Sequence, residues 1–183
     1  TLRGLARAIG SGQQVEDVAV RQALTDQATV LQGGYRILKG AKDFASFYDF
    51  VVREISPARI SQDGVRMLAE EFVCDFVSTH RKIERGELIA AQRWLHHQLV
   101  EKNFRLLHEL RLREGQPTFP DARRIEFLDY SRAAQVAITA TLSVVSLRDG
   151  VEKAAETCRQ LVRALIGNQW SWPELSPLRL RTK

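Results

Sequence analysis

The sequence predicts a mainly α protein, an antiparallel helical bundle with one small β-hairpin near its N-terminus. Over most of the chain after residue 43, apolar residues recur three and four positions apart, as they do on the buried face of a helix. Only residues 29–38 change to a strand-like pattern, around a Gly-Gly pair. We therefore expect two regions: residues 1–42 with a helix and the hairpin, and residues 43–183 as the helical bundle domain.

The N-terminal region begins with a helical pattern over residues 15–28. Two short strand-like segments, residues 29–32 and 35–38, follow on either side of the turn Gly33-Gly34. Because two strands alone are only marginally stable in water, the hairpin is expected to pair with another part of the protein or with another chain.

An aromatic helix is expected next. Asp43 is its predicted N-cap, and Ser56-Pro57 ends the segment. Aromatic residues cover more than one side of this helix, which indicates burial between two bodies. Its apolar side chains are Phe44, Phe47, Tyr48, Phe50, Val51 and Ile55.

Two long amphipathic helices follow, separated by a turn at Gly86. The first is predicted to begin at Ser61 or Asp63 and to run to about Glu84, with its apolar residues in a regular 3-4 spacing. The second covers residues 88–113, and at ~1.5 Å per residue it is about 40 Å long.

The C-terminal third is predicted to hold a loop and three more helices. Residues 114–120 form the loop, and Asp121 caps a short helix that runs through Leu128. The apolar residues 133–145 indicate a buried helix. Ser146 is the expected cap of the last helix.

The last helix is expected to end at Gly167-Asn168, after a stripe of apolar residues. Trp170 and Trp172 come directly after that end. Tryptophans bury a large apolar area, so we expect this pair to clamp the tail onto the bundle.

Composition restricts the function classes. The 183 residues are 44% hydrophobic and 27% charged, which is ordinary for a globular domain that buries a real core. The net charge of +5 comes from dispersed arginines without interleaved aromatic residues, which argues against a nucleic-acid surface. The sequence has no apolar run of the ~18 residues that a membrane span needs.

Two cysteines, Cys74 and Cys158, lie far apart on apolar helical faces. Their spacing fits neither a disulfide framework nor a zinc site. We interpret both as reduced core residues of a cytoplasmic protein.

The pair of long helices resembles a known domain. Residues 72–115 hold one amphipathic helix, the turn Arg85-Gly86-Glu87 and a second long amphipathic helix. This arrangement resembles the helical C-terminal, substrate-binding domain of the antibiotic-type nucleotidyltransferases, the aminoglycoside and lincosamide adenylyltransferase superfamily. The order of hairpin, crossover helix and helix pair is also similar, and the resemblance covers residues 31–166.

The resemblance implies a function for the whole protein and a place for this segment. The protein would transfer a nucleotidyl group from a nucleoside triphosphate, with Mg²⁺, to a hydroxyl of a small acceptor. The bundle would supply the wall of the acceptor site, and residues 1–42 would be a remnant or an edge of the catalytic α/β domain.

The candidate substrate-binding residues are those that the resemblance places at the cleft: Arg81, Lys82, Arg85, Glu87 and Arg93. The same turn also has a purely structural explanation. One helix would end at a glycine, with basic residues in its last turn, and the next would begin with an acid. These are ordinary signals for the end and the start of helices. The sequence leaves both explanations open.

No catalytic residue is assigned. The superfamily's signature is a Gly-Ser turn followed by two aspartates that alternate on one strand, where they share a face and hold Mg²⁺. The nearest approach here is residues 10–12 with Glu16 and Asp17, which are adjacent and therefore point to opposite faces of a strand. We expect the catalytic domain to precede Thr1, and this chain alone to be inactive and to bind neither Mg²⁺ nor nucleotide.

Two alternatives come from other classes. One is a non-catalytic interaction or homodimerisation module that uses the aromatic helix near Tyr48. The other is a helical-domain RNase, which would need four to six residues between an arginine and a histidine, whereas Arg93 and His97 have three. His97 and Glu101 could bind one metal ion only with a third ligand from another helix, so no metal site is assigned.

Overall fold

The computed structural model describes residues 18–176, together with Gly4 upstream of them. These residues are mainly helical, and the part described contains no strand. A π-helical segment, Leu95–Val100, joins the fourth and fifth helices. The α-helices are α1 (Val18–Leu31), α2 (Ala41–Glu54), α3 (Gln62–Glu84), α4 (Leu88–Trp94), α5 (Glu101–Arg113), α6 (Ile125–Leu128), α7 (Tyr130–Val136) and α8 (Val144–Ile166). Among the residues described, no helix is both long and apolar enough to cross a bilayer.

The chain forms two compact units, Thr1–Arg59 and Ile60–Lys183. This division lies after α2, whereas the sequence predicts the boundary between residues 42 and 43. The aromatic helix therefore belongs to the N-terminal unit, because its buried side chains pack on α1. The core of that unit is formed by Leu24, Ala28, Leu31, Phe47 and Val51.

The structure has a helix where the sequence predicts the first strand of the hairpin. α1 continues through Leu31, and the segment from Gly34 to Leu38 forms no strand. Leu24, Ala28 and Leu31 share one helical face and are buried, so their packing outweighs the strand preference of the β-branched Val30.

α2 begins two residues before its predicted cap. Its first residue is Ala41, and Gly40 occupies the N-cap position with a left-handed φ of 78°. The predicted cap, Asp43, therefore lies inside the first turn. The helix ends at Glu54, close to the predicted stop at Ser56-Pro57.

In the C-terminal unit, α3 begins and ends as the sequence predicts. The Ser61 hydroxyl caps it by accepting a hydrogen bond from the Gly64 N–H at 3.0 Å. Its buried stripe packs on α8, which lies so close to the π-helical segment that a Cβ at Gly150 would stand 3.0 Å from Leu95 Cδ2. The core residues of α3 include Val65, Leu68, Ala69, Phe72 and Phe76.

The region between α5 and α8 differs from the prediction. Asp121 is in a 3₁₀ turn with φ 56°, and α6 begins only at Ile125. The predicted buried helix over residues 133–145 ends at Val136, and Val145 is 81% exposed. Hydroxyl side chains after Ile138 compete with the helix for backbone groups, which favours a loop there.

α8 is capped by Ser143, not by the predicted Ser146. The Ser143 hydroxyl accepts a hydrogen bond from the Ser146 N–H at 3.2 Å, and the Ser146 hydroxyl accepts one from the Thr141 N–H at 2.9 Å. The end of the helix is as predicted, at Ile166 before Gly167.

The two tryptophans pack on the bundle as the sequence predicts. Trp172 meets Phe76 edge-to-face, with ring centroids 5.4 Å apart, and also contacts Phe72. The guanidinium of Arg159 lies 4.2 Å from the centre of the Trp172 ring, and Trp170 packs against the same indole. The tail is therefore held on α3 and α8 by aromatic and cation–π contacts.

Candidate functional site

The turn between α3 and α4 is a Schellman motif. Gly86 has a left-handed φ of 75°. Its N–H donates to the Ile83 carbonyl at 3.0 Å, and the Glu87 N–H donates to the Lys82 carbonyl at 2.9 Å. These two bonds satisfy carbonyls that a helix end leaves without partners. The structural explanation of this turn, a helix end at Gly86 followed by the start of a second helix, is therefore confirmed.

At this turn, Arg85 and Glu87 bind each other. The Arg85 Nε donates to one carboxylate oxygen of Glu87 at 2.7 Å, and its Nη2 donates to the other at 3.0 Å. These hydrogen bonds lower the pKa of the Glu87 carboxyl and raise the pKa of the Arg85 guanidinium. Both groups are exposed, so the pair is accessible from solvent.

The other three predicted site residues have different surroundings. Arg81 pairs with Glu84 at 2.8 Å on the same helix. The Lys82 ammonium lies 4.3 Å from the centre of the Trp94 ring, a cation–π contact between α3 and α4. Arg93 is exposed and forms no ion pair with any residue between positions 18 and 176.

Below the turn, Asp75 of α3 accepts two hydrogen bonds from the second helical run. The Trp94 indole N–H donates to Asp75 Oδ1 at 3.2 Å, and the Lys102 ammonium donates to Oδ2 at 2.7 Å. The Lys102 ammonium also lies 3.8 Å from a carboxylate oxygen of Glu71. This network is largely shielded from solvent, because the Lys102 and Asp75 side chains are 11% and 19% exposed.

The π-helical segment explains how Trp94 and Lys102 reach the same carboxylate. At ~100° per residue, eight steps along a regular α-helix would turn Lys102 about 80° away from Trp94. A π-helical turn takes in one extra residue, which removes most of that rotation. The segment Leu95–Val100 lies between the two residues, so both side chains face Asp75.

A groove of about 430 Å³ opens beside this network. Its lining has three carboxylates and one ammonium, together with a thioether and a thiol. The excess of carboxylates gives it acceptors for hydroxyl and ammonium donors. The lining residues are Met67, Glu70, Glu71, Cys74, Asp75 and Lys102.

The two cysteines are not alike. Cys74 is exposed in the groove, so its predicted place in the core is wrong. The apolar stripe of α3 runs through Phe72 and Phe76, and Cys74 lies between them on the outer side of the helix. Cys158 is buried, as the sequence predicts, and burial raises the pKa of its thiol to about 12.

The sequence gives no indication of a second polar cluster, around Glu109. This carboxylate is 1% exposed and accepts hydrogen bonds from the Arg113 Nε at 2.8 Å and from the Ile60 N–H at 2.9 Å. Arg113 also donates to the carbonyls of Ile60 and Leu165, at 2.9 and 2.8 Å. The arginine thus joins α5 to the segment before α3 and to the end of α8, which is a structural role.

The histidines of the second helical run do not form a metal site. Within the part of the chain that the structure describes, no three His, Cys, Asp or Glu side chains come together as metal ligands. The His108 Nδ1 lies 2.9 Å from the Thr118 hydroxyl, and His97 is exposed.

A larger groove of about 500 Å³ lies between α7 and α8. Its lining includes one cation and one anion, Lys153 and Glu156, together with amide and hydroxyl groups such as Gln135 and Thr139. This balanced set favours no class of ligand, so the acidic groove beside Asp75 is the better candidate.

Comparisons with known proteins add no relative. No protein-family model, no curated protein and no solved structure matches this chain.

Proposed function

We propose that the C-terminal unit is the acceptor-binding portion of a nucleotidyltransferase-like protein, and that its acidic groove holds a small, hydroxylated, cationic acceptor. The observation that carries the proposal is the groove itself. Its volume lies within the roughly 300–1,000 Å³ usual for small-molecule sites. Asp75 is fixed beside it by Trp94 and Lys102, so the groove has a preformed polar side.

The charges of the groove define the ligand. Glu70 and Glu71 are exposed at its rim, and the single ammonium of the lining, Lys102, is shared by Asp75 and the more distant Glu71, so the carboxylates outnumber it. An ammonium group near two exposed carboxylates gains attraction that salt weakens. Hydroxyl groups of the same ligand can donate to the carboxylates, and the exposed side chain of Met67 offers an apolar contact.

The predicted site residues at the turn between α3 and α4 bear on the same proposal. Arg85 and Glu87 are hydrogen-bonded to each other, whereas Arg93 is exposed and forms no ion pair with the residues described. Arg93 is therefore the member of the predicted set that we propose for contact with a phosphate or an anionic acceptor group. Arg93→Ala should reduce the turnover of the complete protein about tenfold, the scale of one charge-assisted hydrogen bond, with an unchanged melting temperature.

The chemical step is assigned to a domain that only the resemblance implies. Residues 18–176 bring together no set of side chains that fits Mg²⁺, and the proposal therefore places the ion and the nucleotide on that other domain. The mass of the native polypeptide tests this part. It should exceed the 20.8 kDa of this chain by a catalytic domain of roughly 100 residues.

Binding of kanamycin, a hydroxylated polycation, to the isolated chain tests the groove. Isothermal titration at low salt should show binding that weakens as salt is added, whereas maltotriose, which is hydroxylated and neutral, should not bind. Glu70→Gln with Glu71→Gln should weaken the binding about tenfold or more. The matched control, Glu126→Gln with Glu174→Gln, removes two exposed carboxylates outside the groove and should leave it unchanged.

Equal affinity in the two double variants would show that kanamycin binds by net charge alone, and the groove would lose its role. Absence of binding to the wild-type chain would reject the cationic acceptor. The aromatic helix offers less support for the alternative of a dimerisation module, because Phe47 is buried and Tyr48 packs on Tyr35, Phe44 and Phe47 within its own unit.

A further inference from the structure

His80 is a fully buried histidine between the two longest helices of the C-terminal unit. It belongs to α3, and its Nε2 lies 3.1 Å from Oε1 of Glu152 on α8. The Glu152 carboxylate is 37% exposed, so the contact runs from the core to the surface. With Nε2 as the donor, the neutral imidazole carries its single proton toward Glu152.

The other ring nitrogen of His80 has no such contact. Nδ1 is buried and has no hydrogen-bond partner among residues 18–176. The ring meets Phe76 edge-to-face, with centroids 4.5 Å apart, and Thr79 and Ile83 on the same helix are buried as well. Nδ1 is an acceptor in the neutral ring, and leaving an acceptor without a partner is tolerated better than burying a charge.

Charged groups act on His80 from both helices. Glu152 on α8 and Glu84 on α3 favour its protonated form, and Arg148 on α8 opposes it. Burial is the largest of these effects, and it lowers the pKa of His80 below its ordinary value despite the two carboxylates.

We propose that His80 is an acid-sensitive latch between α3 and α8. The second ring proton would have to sit on Nδ1, where the described residues offer no acceptor. The charged ring is therefore stable only if the contact between α3 and α8, here called the seam, opens to water. The neutral ring keeps the seam closed, and acid opens it.

The direction of the pH effect follows from the lowered pKa. The unfolded chain protonates His80 near pH 6.5, whereas the folded chain does so only at lower pH. The stability contributed by the neutral ring is fully present above about pH 6.5 and is lost as the pH falls from there toward the folded pKa. Over that window the unfolding equilibrium constant should rise by up to about tenfold per pH unit.

The first test measures the wild-type chain directly. NMR titration of the histidine Cε1–H signals should show that His80 stays neutral to a pH below 6.5, the ordinary pKa of a histidine in an unfolded chain. The chain has four histidines, so the spectra of His96→Gln, His97→Gln and His108→Gln assign the His80 signal by elimination. A His80 signal that titrates at or above pH 6.5 would overturn the proposal, since the ion pair with Glu152 would then outweigh burial.

The second test compares urea unfolding at pH 7.5 and 5.5. His80→Gln keeps an N–H donor for Glu152 but cannot titrate, so it should lose less stability than the wild type on acidification. His97→Gln is the matched control and should retain the wild-type dependence. Amide exchange should show faster opening of α3 and α8 at the lower pH in the wild type only. The same pH dependence in wild type and His80→Gln would reject the latch, and if His80→Gln does not fold, the NMR titration decides.

Discussion

The Asp75 carboxylate of α3 lies 2.7 Å from the Lys102 ammonium of α5, at a place where both side chains are largely shielded from solvent. The Trp94 indole donates to the second carboxylate oxygen, so three side chains share one site. This contact fixes the wall of the acidic groove, and its energetics can be tested separately from ligand binding.

Asp75→Ala should destabilise the fold more than Lys102→Met. The first change leaves the shielded ammonium with only the more distant Glu71 and should cost about 3 kcal/mol, the lower end of the range for a broken buried pair. The second leaves a carboxylate that still accepts from Trp94. Urea unfolding of both variants and of the double variant measures the effect. Additive losses would show that the two side chains do not interact in solution.

Arg113→Lys should lose about 1–3 kcal/mol, although it keeps the charge. The guanidinium contacts Glu109 and the carbonyls of Ile60 and Leu165 at the same time, and an ammonium cannot reproduce that fork. Arg105→Lys, at an exposed position on the same helix, is the control and should change stability by less than about 0.5 kcal/mol. Similar melting temperatures for the two variants would contradict the role of Arg113 in joining α5 to Ile60 and Leu165.

One of the two cysteines should react in the native protein. A thiol reagent such as DTNB should modify Cys74 rapidly and Cys158 only after unfolding, because the second thiol is buried and its pKa is raised to about 12. Cys158→Ser should cost about 1–3 kcal/mol by placing a hydroxyl in the core, and Cys74→Ser should cost little. Two rapidly reacting thiols would show that the α8 face is open.

Gly86→Ala should destabilise the turn by about 1–2 kcal/mol, because a side chain is strained at a left-handed φ. Gly86→Asn should cost less, since asparagine tolerates this conformation. No atom outside the local backbone lies within 4 Å of a Cβ at this position, so the strain is conformational and not a clash. Thermal melting compares the variants, and equal losses for Ala and Asn would count against the Schellman geometry.

The chain should show no nucleotidyl transfer by itself. Its sequence has no pair of alternating aspartates after a Gly-Ser turn, the arrangement that the proposed nucleotidyl transfer would need to hold Mg²⁺. Labelled ATP and GTP with hydroxylated antibiotics and Mg²⁺ give the assay. Metal-dependent product from the purified chain would show that its own residues are catalytic.

The sequence predicts the long helices well because their signals are local. The stripe of α3, the Ser61 cap and the turn at Gly86 each depend on residues within a few positions of one another. At the predicted hairpin, where the structure has α1 up to Leu31, the contacts that matter are not local. Leu24 and Leu31 gain burial from α2, which lies later in the chain, and that contact is not encoded in the β-branched residues between them.

The candidate site was the hardest part to predict. Asp75 and Lys102, like His80 and Glu152, are distant in sequence, and a charged residue on a helix is ordinarily assigned to the surface. Trp94 and Lys102 lie on the same face of the helix only because a π-helical turn separates them. The sequence of Leu95–Val100 has no pattern that predicts such a turn.

The π-helical turn also determines where the chain can lose one residue without a change in the direction of its apolar faces. Removal of one residue from a regular helix rotates everything downstream by ~100° and would turn the apolar face of α5 away from the core. Within Leu95–Val100 one residue is already in excess of the α-helical repeat, so a shorter chain can close into an unbroken helix there. The face of α5 would keep its direction, and only the approach of Lys102 to Asp75 would have to adjust.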